Sequence, residues 1–404
     1  MIIKSISRET FKIKSGLNEY APRGGEPKLN NDLILLVGMV DSPHFQRWVK
    51  ILRDLFPEKK IYVFPSDRPK IKKFAEDYRD SSIGIFRIFS SLSLNFGLFY
   101  LMDLILGMKW RSYVLARLLI QKMPAMLHFH EMQHAAYIFN PIANIDRIPR
   151  NIKKIVSTWG SDLIYYSWSD SDSLEIDFCL EWIDLLTAER QEDLPIAKKY
   201  GYGGAFIAPV YITVGSESQI ASMTRPSDRN LILVKGYQDN TGRALNVLAA
   251  LKAISAELKP FQIKVFSASE PVRYQVDLMR NKLGIDIKVI PRVEKAVLKD
   301  LFGKARVYIG LSESDGAPSS MIEAMESGCF PIQSQNSAGY EFIQNSVSGF
   351  IVDPWNLEAV QSSISIALNR NELVDRAADL NKEKLIEVYD LEKGKKRMKE
   401  IYLI

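Results

Sequence analysis

The sequence predicts an α/β protein made of two doubly wound parallel-sheet domains, and three observations carry that expectation. Short apolar runs recur with room for a helix between them, as at 33–39, 125–130, 231–234 and 307–311. Several of these runs, LILLVGM at 33–39 above all, are apolar at every position instead of alternating, the pattern of strands covered on both faces. The series breaks at 212–230, where periodicity is lost and the chain turns polar, so two cores are expected, one on each side. A chain of 404 residues is long enough to bury both.

Taken in order, residues 1–30 are polar, carry a Gly-Gly pair, and precede the first strand. The run 33–39 leads into Asp41-Ser42-Pro43-His44, where Ser42 and Pro43 are expected as the N-cap and first residue of a helix. A second strand at 61–64 is followed by Arg68, Lys70, Lys72 and Lys73, expected as a solvated face. Residues 83–107 are rich in Ile, Phe and Leu but interrupted by Arg87, Asn95 and Asp103, so a buried or membrane-facing amphipathic helix is expected rather than a span. The cluster Lys109, Trp110, Arg111, Tyr113, Arg117 and Lys122 suits a solvated face on a core helix or contact with a bilayer. The strand at 125–130 is expected to enter a helix at Glu131, and that at 155–159 to enter one at Gly160. Strands at 184–188 and 205–210 complete the first series. The second series places strands at 231–234, 262–267, 286–290, 307–311, 329–333 and 350–352, with amphipathic helices between them at 243–258 and 274–282.

Composition bounds the function. Hydrophobic and charged fractions of 47% and 25% are those of a soluble globular protein, and a net charge of +5 admits anionic ligands or a lipid surface without demanding nucleic acid. Cys179 and Cys329 lie far apart without metal-type spacing, which points to a reducing compartment, and the N-terminus shows no apolar core of a secretory signal.

The densest chemistry lies at 307–341. A strand runs into the loop Asp315-Gly316-Ala317-Pro318, a helix opens at Ser319 or Ser320, and a second strand ends in Asn336-Ser337-Ala338-Gly339-Tyr340-Glu341. This is the pattern of an anion site: Gly316 lets backbone approach a ligand, Pro318 delays the helix until Ser319 and Ser320 can cap it, and the helix start offers N–H groups. Asp315 and Glu323 bracket the turn.

The stretch resembles the donor-sugar motif of the retaining, family-4-type glycosyltransferases of GT-B fold, with Asp315-Gly316-Ala317-Pro318, four residues, and Glu323-Ala324-Met325-Glu326-Ser327-Gly328 in register. The first acid is Asp where the pattern has Glu, and Pro331 comes one residue late. Trp159-Gly160-Ser161-Asp162 also resembles the N-terminal domain of these enzymes. The resemblance implies two Rossmann-like domains facing a central cleft. Residues 1–211 would bind the acceptor, 212–384 the nucleotide sugar, and 385–404 would cross back to the first domain.

By match, Asp315 takes sugar hydroxyls, the amides of Gly316 and Ala317 lie nearby, Ser319, Ser320 and Met321 meet the diphosphate, and Glu323 holds the ribose. His130, in Leu127-His128-Phe129-His130-Glu131, would bond a sugar hydroxyl, with His44 on the acceptor side and His128 and His134 structural. The family's diphosphate-binding Arg and Lys are replaced by Tyr237 and Thr241, while Lys235 and Arg243 stand one or two residues away and would substitute; Arg292 would touch the nucleotide. The implied reaction is transfer with retention, with no metal and no cofactor beyond the nucleotide-diphosphate sugar as co-substrate. The implied acceptor is a glycan or polyprenyl-linked sugar, in cell-surface polysaccharide synthesis. The implied location is cytoplasmic, at the inner face of the cell membrane.

Three alternatives compete. A GT-B-fold binding or scaffolding protein would fit Tyr237 and Thr241. A dinucleotide-dependent oxidoreductase would need a glycine fingerprint after 33–39, which Gly38 alone does not supply. His130-Glu131-Met132-Gln133-His134 matches the zinc-protease signature, which requires a helix through both histidines and a third ligand.

Overall fold

The computed structural model describes residues 28–67, 96–211 and 224–403. The polar 1–27 stretch, the basic run at 68–73, residues 83–95 of the apolar stretch and most of the 212–230 break lie outside the described residues.

The first sheet begins with β1 (Asn30–Gly38), whose last six residues are buried. Ser42, extended at φ −73°, ends the following turn and Pro43 opens α1 (Pro43–Leu55), as expected, though the Ser42 side chain makes no capping bond. This helix buries Phe45, Trp48, Val49, Ile51 and Leu52. The chain continues through β2 (Lys60–Pro65), α2 (Phe96–Leu106), α3 (Met108–Lys122), β3 (Pro124–His130) and β4 (Lys153–Ser157). It then runs through α4 (Asp170–Trp182), β5 (Leu185–Thr187), α5 (Asp193–Lys199) and β6 (Ala205–Ile207). All pairings are parallel, in the order β2-β1-β3-β4-β5-β6, so the direction of winding reverses between β1 and β3.

The second sheet is laid down by β7 (Leu231–Lys235), α6 (Ala244–Ala253), β8 (Gln262–Phe266), α7 (Glu270–Leu283), β9 (Ile287–Val289), α8 (Lys295–Lys304) and β10 (Ala305–Gly310). α9 (Ser319–Glu326), β11 (Phe330–Ser334), β12 (Phe350–Val352), α10 (Leu357–Asn369), α11 (Asn371–Val388) and α12 (Leu391–Leu403) complete it. Its order, β12-β11-β10-β7-β8-β9, is again all parallel and reverses between β7 and β10. The two-residue period of the strands splits the core: Ile232, Val234, Val307 and Ile309 pack with α6, α7 and α10 residues on one face. Leu231, Leu233 and Tyr308 pack with Phe302, Met321 and Met325 on the other. This is why the strands read as apolar at every position.

The chain forms two compact units. One comprises residues 1–158, 169–187 and 194–207; the other comprises 159–168, 188–193 and 208–404. Two short excursions, 159–168 and 188–193, therefore belong with the second sheet.

Every expected strand is present, but three local expectations fail. Glu131 does not begin a helix: it takes a left-handed φ of +75°, and the chain beyond it runs in turns and short 3-10 segments. Gly160 likewise starts turns and a 3-10 segment, Tyr166–Trp168, the α-helix waiting until Ser169 accepts from the Asp172 amide. The cap of α9 is Pro318, not a serine, and it makes no side-chain capping bond. Among the described residues no helix is long and apolar enough to cross a membrane. α2 presents Leu101, Leu104, Ile105 and Leu106 to solvent, while Asp103 is buried in a two-pronged ion pair with Arg111 at 2.6 and 2.8 Å. Arg111 is thereby taken out of the expected solvated basic cluster.

Candidate functional site

In an open parallel sheet a ligand site is expected beyond the carboxyl ends of the strands, where the order reverses. In the second sheet that point is the end of β7 and the loop after β10. Lys235, the last residue of β7, places Nζ 3.4 Å from Asp315 Oδ2 and 5.1 Å from the Tyr237 ring centre. Burial by itself would pull the Lys235 ammonium down, but Asp315, Tyr308 and Tyr237 beside it outweigh that and hold its pKa above the ordinary lysine value. Both partners keep part of their surface open, 21% for Lys235 and 30% for Asp315. A fixed cation therefore stands at the mouth of the turn that precedes α9.

The turn is tightly laced. The Asp315 amide donates to the Asn336 carbonyl at 3.3 Å and the Ala338 amide to the Gly316 carbonyl at 3.1 Å, so the 315–318 and 336–341 loops hold one another. Gly316 is pressed between two neighbours. A Cβ on Gly160, whose φ is +87°, would lie 2.0 Å from the Gly316 nitrogen, and one on Gly316 would lie 1.9 Å from Glu189 Oε2. Neither position has room for a side chain. The Ala317 amide donates to Glu189 Oε2 at 2.9 Å, and Ser314 Oγ donates to the Gly160 carbonyl at 3.3 Å.

α9 then begins. Ser319, Ser320 and Glu323 are half-buried and Met321 is fully buried. The Met321 amide donates to the Pro318 carbonyl at 2.8 Å, so of the three residues expected at a diphosphate, Ser319 and Ser320 are those whose amides have no intrahelical acceptor. Arg243 is committed elsewhere. Its Nε donates to Glu313 at 3.0 Å, Nη1 to the carbonyls of Asp239 and Gly242 at 3.2 and 2.7 Å, and Nη2 to Asn240 at 3.2 Å. Its guanidinium lies 5.2 Å from the Trp355 ring centre. It braces the 239–243 loop. Arg292 is exposed in the loop after β9, the edge strand, two strands from β7.

The first sheet has its own reversal point, between β1 and β3, and His130 ends β3 there. Its ring is enclosed at 0% exposure, edge-on to Phe45 and Trp48 at 5.0 Å each and stacked on His128 at 4.3 Å. Burial first, and the neighbouring His128 second, hold His130 far below the usual imidazole range, so it is neutral at physiological pH. His128 is structural, its Nε2 2.8 Å from Ser157 Oγ, which in turn pairs with Thr187 at 2.6 Å. Burial brings its pKa down to about 3. His44 is half-buried at the second position of α1. The His-Glu-x-x-His match does not form a zinc helix: His130 lies on a strand, His134 lies in a turn, and the Glu131 carboxylate accepts from the His134 amide at 2.9 Å.

Glu189 and Arg190 were not legible as site residues. Thr187-Ala188-Glu189-Arg190-Gln191 carries no motif, and only the fold brings Glu189 to Ala317 and the Arg190 guanidinium to the Asn336 carbonyl at 3.1 Å.

Residues 216–384 match the family model described as Glycosyl transferases group 1. No curated protein matches the sequence significantly. Among solved structures, the sucrose-phosphate synthase of Thermosynechococcus elongatus aligns with a TM-score of 0.69 at 12% identity, covering 92% of this chain and 98% of that one. Anabaena Alr3699/HepE, solved with UDP-glucose, aligns with a TM-score of 0.67 at 9% identity, covering 91% and 98%. A mutant of S. aureus TarM, in complex with Fondaparinux, alpha-GlcNAc-glycerol and UDP, aligns with a TM-score of 0.58 at 11% identity. That alignment covers 73% of this chain, which spans 59% of the TarM chain. At such identities the likeness is one of fold.

Proposed function

Since residues 216–384 are a glycosyl transferases group 1 segment within a chain of GT-B fold, we propose that the protein moves a sugar from a nucleotide-diphosphate donor to a hydroxyl of a glycan or lipid-linked acceptor. The observation that carries this reading is the Lys235–Asp315 pair, 3.4 Å apart, at the reversal point of the second sheet and immediately before the start of α9. A cation and two helix-start amides suit a diphosphate, and a carboxylate beside them suits sugar hydroxyls. In the proposed reaction the bond between the anomeric carbon and the diphosphate oxygen breaks. The acceptor oxygen bonds to that carbon on the same face, and its proton passes to the departing diphosphate. Lys235 and the amides of Ser319 and Ser320 offset the charge that builds there, without a metal in the step. His130, neutral and at the matching point of the first sheet, is proposed to align the sugar once movement of the Phe45 and Trp48 rings uncovers it, and His44 is proposed for the acceptor side. The exposed apolar residues of α2, followed by Lys109 and Arg117, support contact with a membrane surface; the role proposed there, at the inner face, is surface polysaccharide synthesis.

A thermal-shift series against UDP-, GDP- and ADP-linked sugars tests the donor reading. HepE and TarM were solved with UDP-containing ligands, which puts the uridine series first. A donor at about 100 times its Kd stabilises by roughly 2.7 kcal/mol, and no shift with any of the three bases would sink the reading. Glu323→Ala is expected to weaken nucleoside diphosphate binding by about 1.5–3 kcal/mol, the loss of a charge-assisted hydrogen bond to ribose. Titration calorimetry with the free nucleotide checks it, and an unchanged affinity would remove Glu323 from the ribose. His130→Ala is expected to lower turnover about 100-fold with nucleotide affinity nearly intact. Equal rates would remove His130 from the mechanism.

A second reading has one observation in its favour. Arg243 is bonded to Glu313 and to three carbonyls, which leaves Lys235 to face the phosphates without the pair of cations the resemblance implies. A nucleotide-sugar-binding protein with weak catalysis would look like this, and turnover of the donor that shifts melting most separates the two.

A further inference from the structure

Segment 188–193 lies against the 315–318 turn of the proposed donor site and against the 336–341 loop bonded to that turn. Glu189 Oε2 accepts from the Ala317 amide at 2.9 Å, and Arg190 Nη1 donates to the Asn336 carbonyl at 3.1 Å. The Tyr340 hydroxyl donates to Glu192, and the segment's base is tied by the Val210 amide to the Ala188 carbonyl at 2.8 Å. Every one of these contacts falls within the second compact unit. Glu189 is 4% exposed, and its approach depends on Gly316, because any Cβ there would collide with the carboxylate. Carboxylate oxygens and phosphate or sugar oxygens are interchangeable acceptors for a backbone N–H, and an amide has one hydrogen to give.

We infer that Glu189 sets the affinity of the donor site by occupying the Ala317 amide that a donor oxygen takes when it binds. The inference rests on the donor reading above and adds to it a residue that neither motif nor resemblance assigns. The carboxylate acts as an internal stand-in for the ligand: it keeps the Gly316–Ala317 turn in its binding shape in the empty protein and withdraws as the donor enters. Arg190 and Glu192, anchored on the 336–341 loop, hold the segment close enough to return it when the product leaves. The cost of breaking the Glu189 contact is subtracted from donor binding, so removal of the carboxylate frees that energy.

The test compares wild type, Glu189→Gln and Glu189→Ala by calorimetry with the UDP-, GDP- and ADP-linked sugars, and by hydrogen exchange at the Ala317 amide without ligand. Glu189→Ala is expected to bind the preferred donor about tenfold more tightly than wild type, with Glu189→Gln between them. The Ala317 amide is expected to exchange faster in Glu189→Ala. Folding is read independently from the far-UV spectrum and melting temperature, and Glu189→Gln, which keeps the side chain's size, guards against collapse of the turn in the alanine variant. Donor affinity that is unchanged or weaker in both variants would overturn the inference and make Glu189 a brace of the loop. If none of the three proteins binds any of the sugars, the donor reading falls and the inference with it; the two failures are thereby told apart.

Discussion

Lys235→Met is expected to lower kcat/KM by a factor of about 10² to 10³, the usual effect of deleting one preorganised charge that faces a developing anion. The expectation is large because, among the described residues, the neighbouring cations are committed elsewhere, Arg190 to the Asn336 carbonyl. Arg243 has its guanidinium spent on Glu313 and on the carbonyls of Asp239, Asn240 and Gly242, and Arg292 stands beyond the edge strand. Methionine keeps most of the length of the side chain while removing the charge, leaving the Asp315 carboxylate unscreened to repel the diphosphate. The same pairing predicts a pH profile. With its pKa raised above the ordinary 10.5 by Asp315, Lys235 stays charged through the whole working range. What the pair adds to stability is complete below 10.5 and is lost only as pH rises through the higher folded-state value. An alkaline fall in activity below pH 10.5 would therefore belong to another group. Steady-state kinetics of wild type and variant across pH checks both statements, and a variant within threefold of wild type would remove Lys235 from the phosphates.

Arg306→Ala is expected to destabilise the fold by about 3–5 kcal/mol. Arg306 lies in β10 at 2% exposure, with Nε donating to the Ala367 carbonyl and Nη1 to the Ser227 carbonyl at 3.0 Å each, and Nη2 to Asn371 Oδ1 at 2.9 Å. Burial lowers the pKa of its guanidinium and the charge of Asp375 partly offsets that, so a charge is held by three neutral oxygens in a site that penalises it. Truncation leaves three acceptors without a donor and opens a hole beneath the strand that carries the Asp315 loop. Urea denaturation measures the loss, and a change below about 1 kcal/mol would mean that water fills the site and meets those acceptors. Arg306→Lys is expected to recover part of the loss, since one ammonium can reach one or two of the three partners.

The two substitutions differ in how far the sequence foretold them. Lys235 is visible from its place at the end of an apolar run ahead of a Gly-rich loop, although the resemblance placed the cations elsewhere in that loop. Arg306, in Ala305-Arg306-Val307-Tyr308, reads as a charge interrupting a strand, and no local rule says that three carbonyl or amide oxygens from residues 227, 367 and 371 converge on it. The helix expected at Glu131 shows the opposite error. The segment after His130 carries no proline or glycine to stop a helix until Pro141, yet Glu131 adopts φ +75° and its carboxylate turns to the His134 amide. Local propensity was overridden there by the turn that follows the end of β3.

By itself the sequence determined the twelve strands, their two series and the acid-Gly-x-Pro turn before α9, because each depends on residues a few positions apart. A strand needs a run of apolar side chains, and a helix start needs a residue that halts the preceding backbone. The tertiary structure alone decided that Arg243 braces its own loop, that His130 is sealed beneath Phe45 and Trp48, and that Glu189 meets the Ala317 amide across 128 residues of chain. Those contacts depend on which strand ends the parallel order brings together, and a sheet's strand order is a property of packing between distant segments, for which neighbouring residues hold no signal.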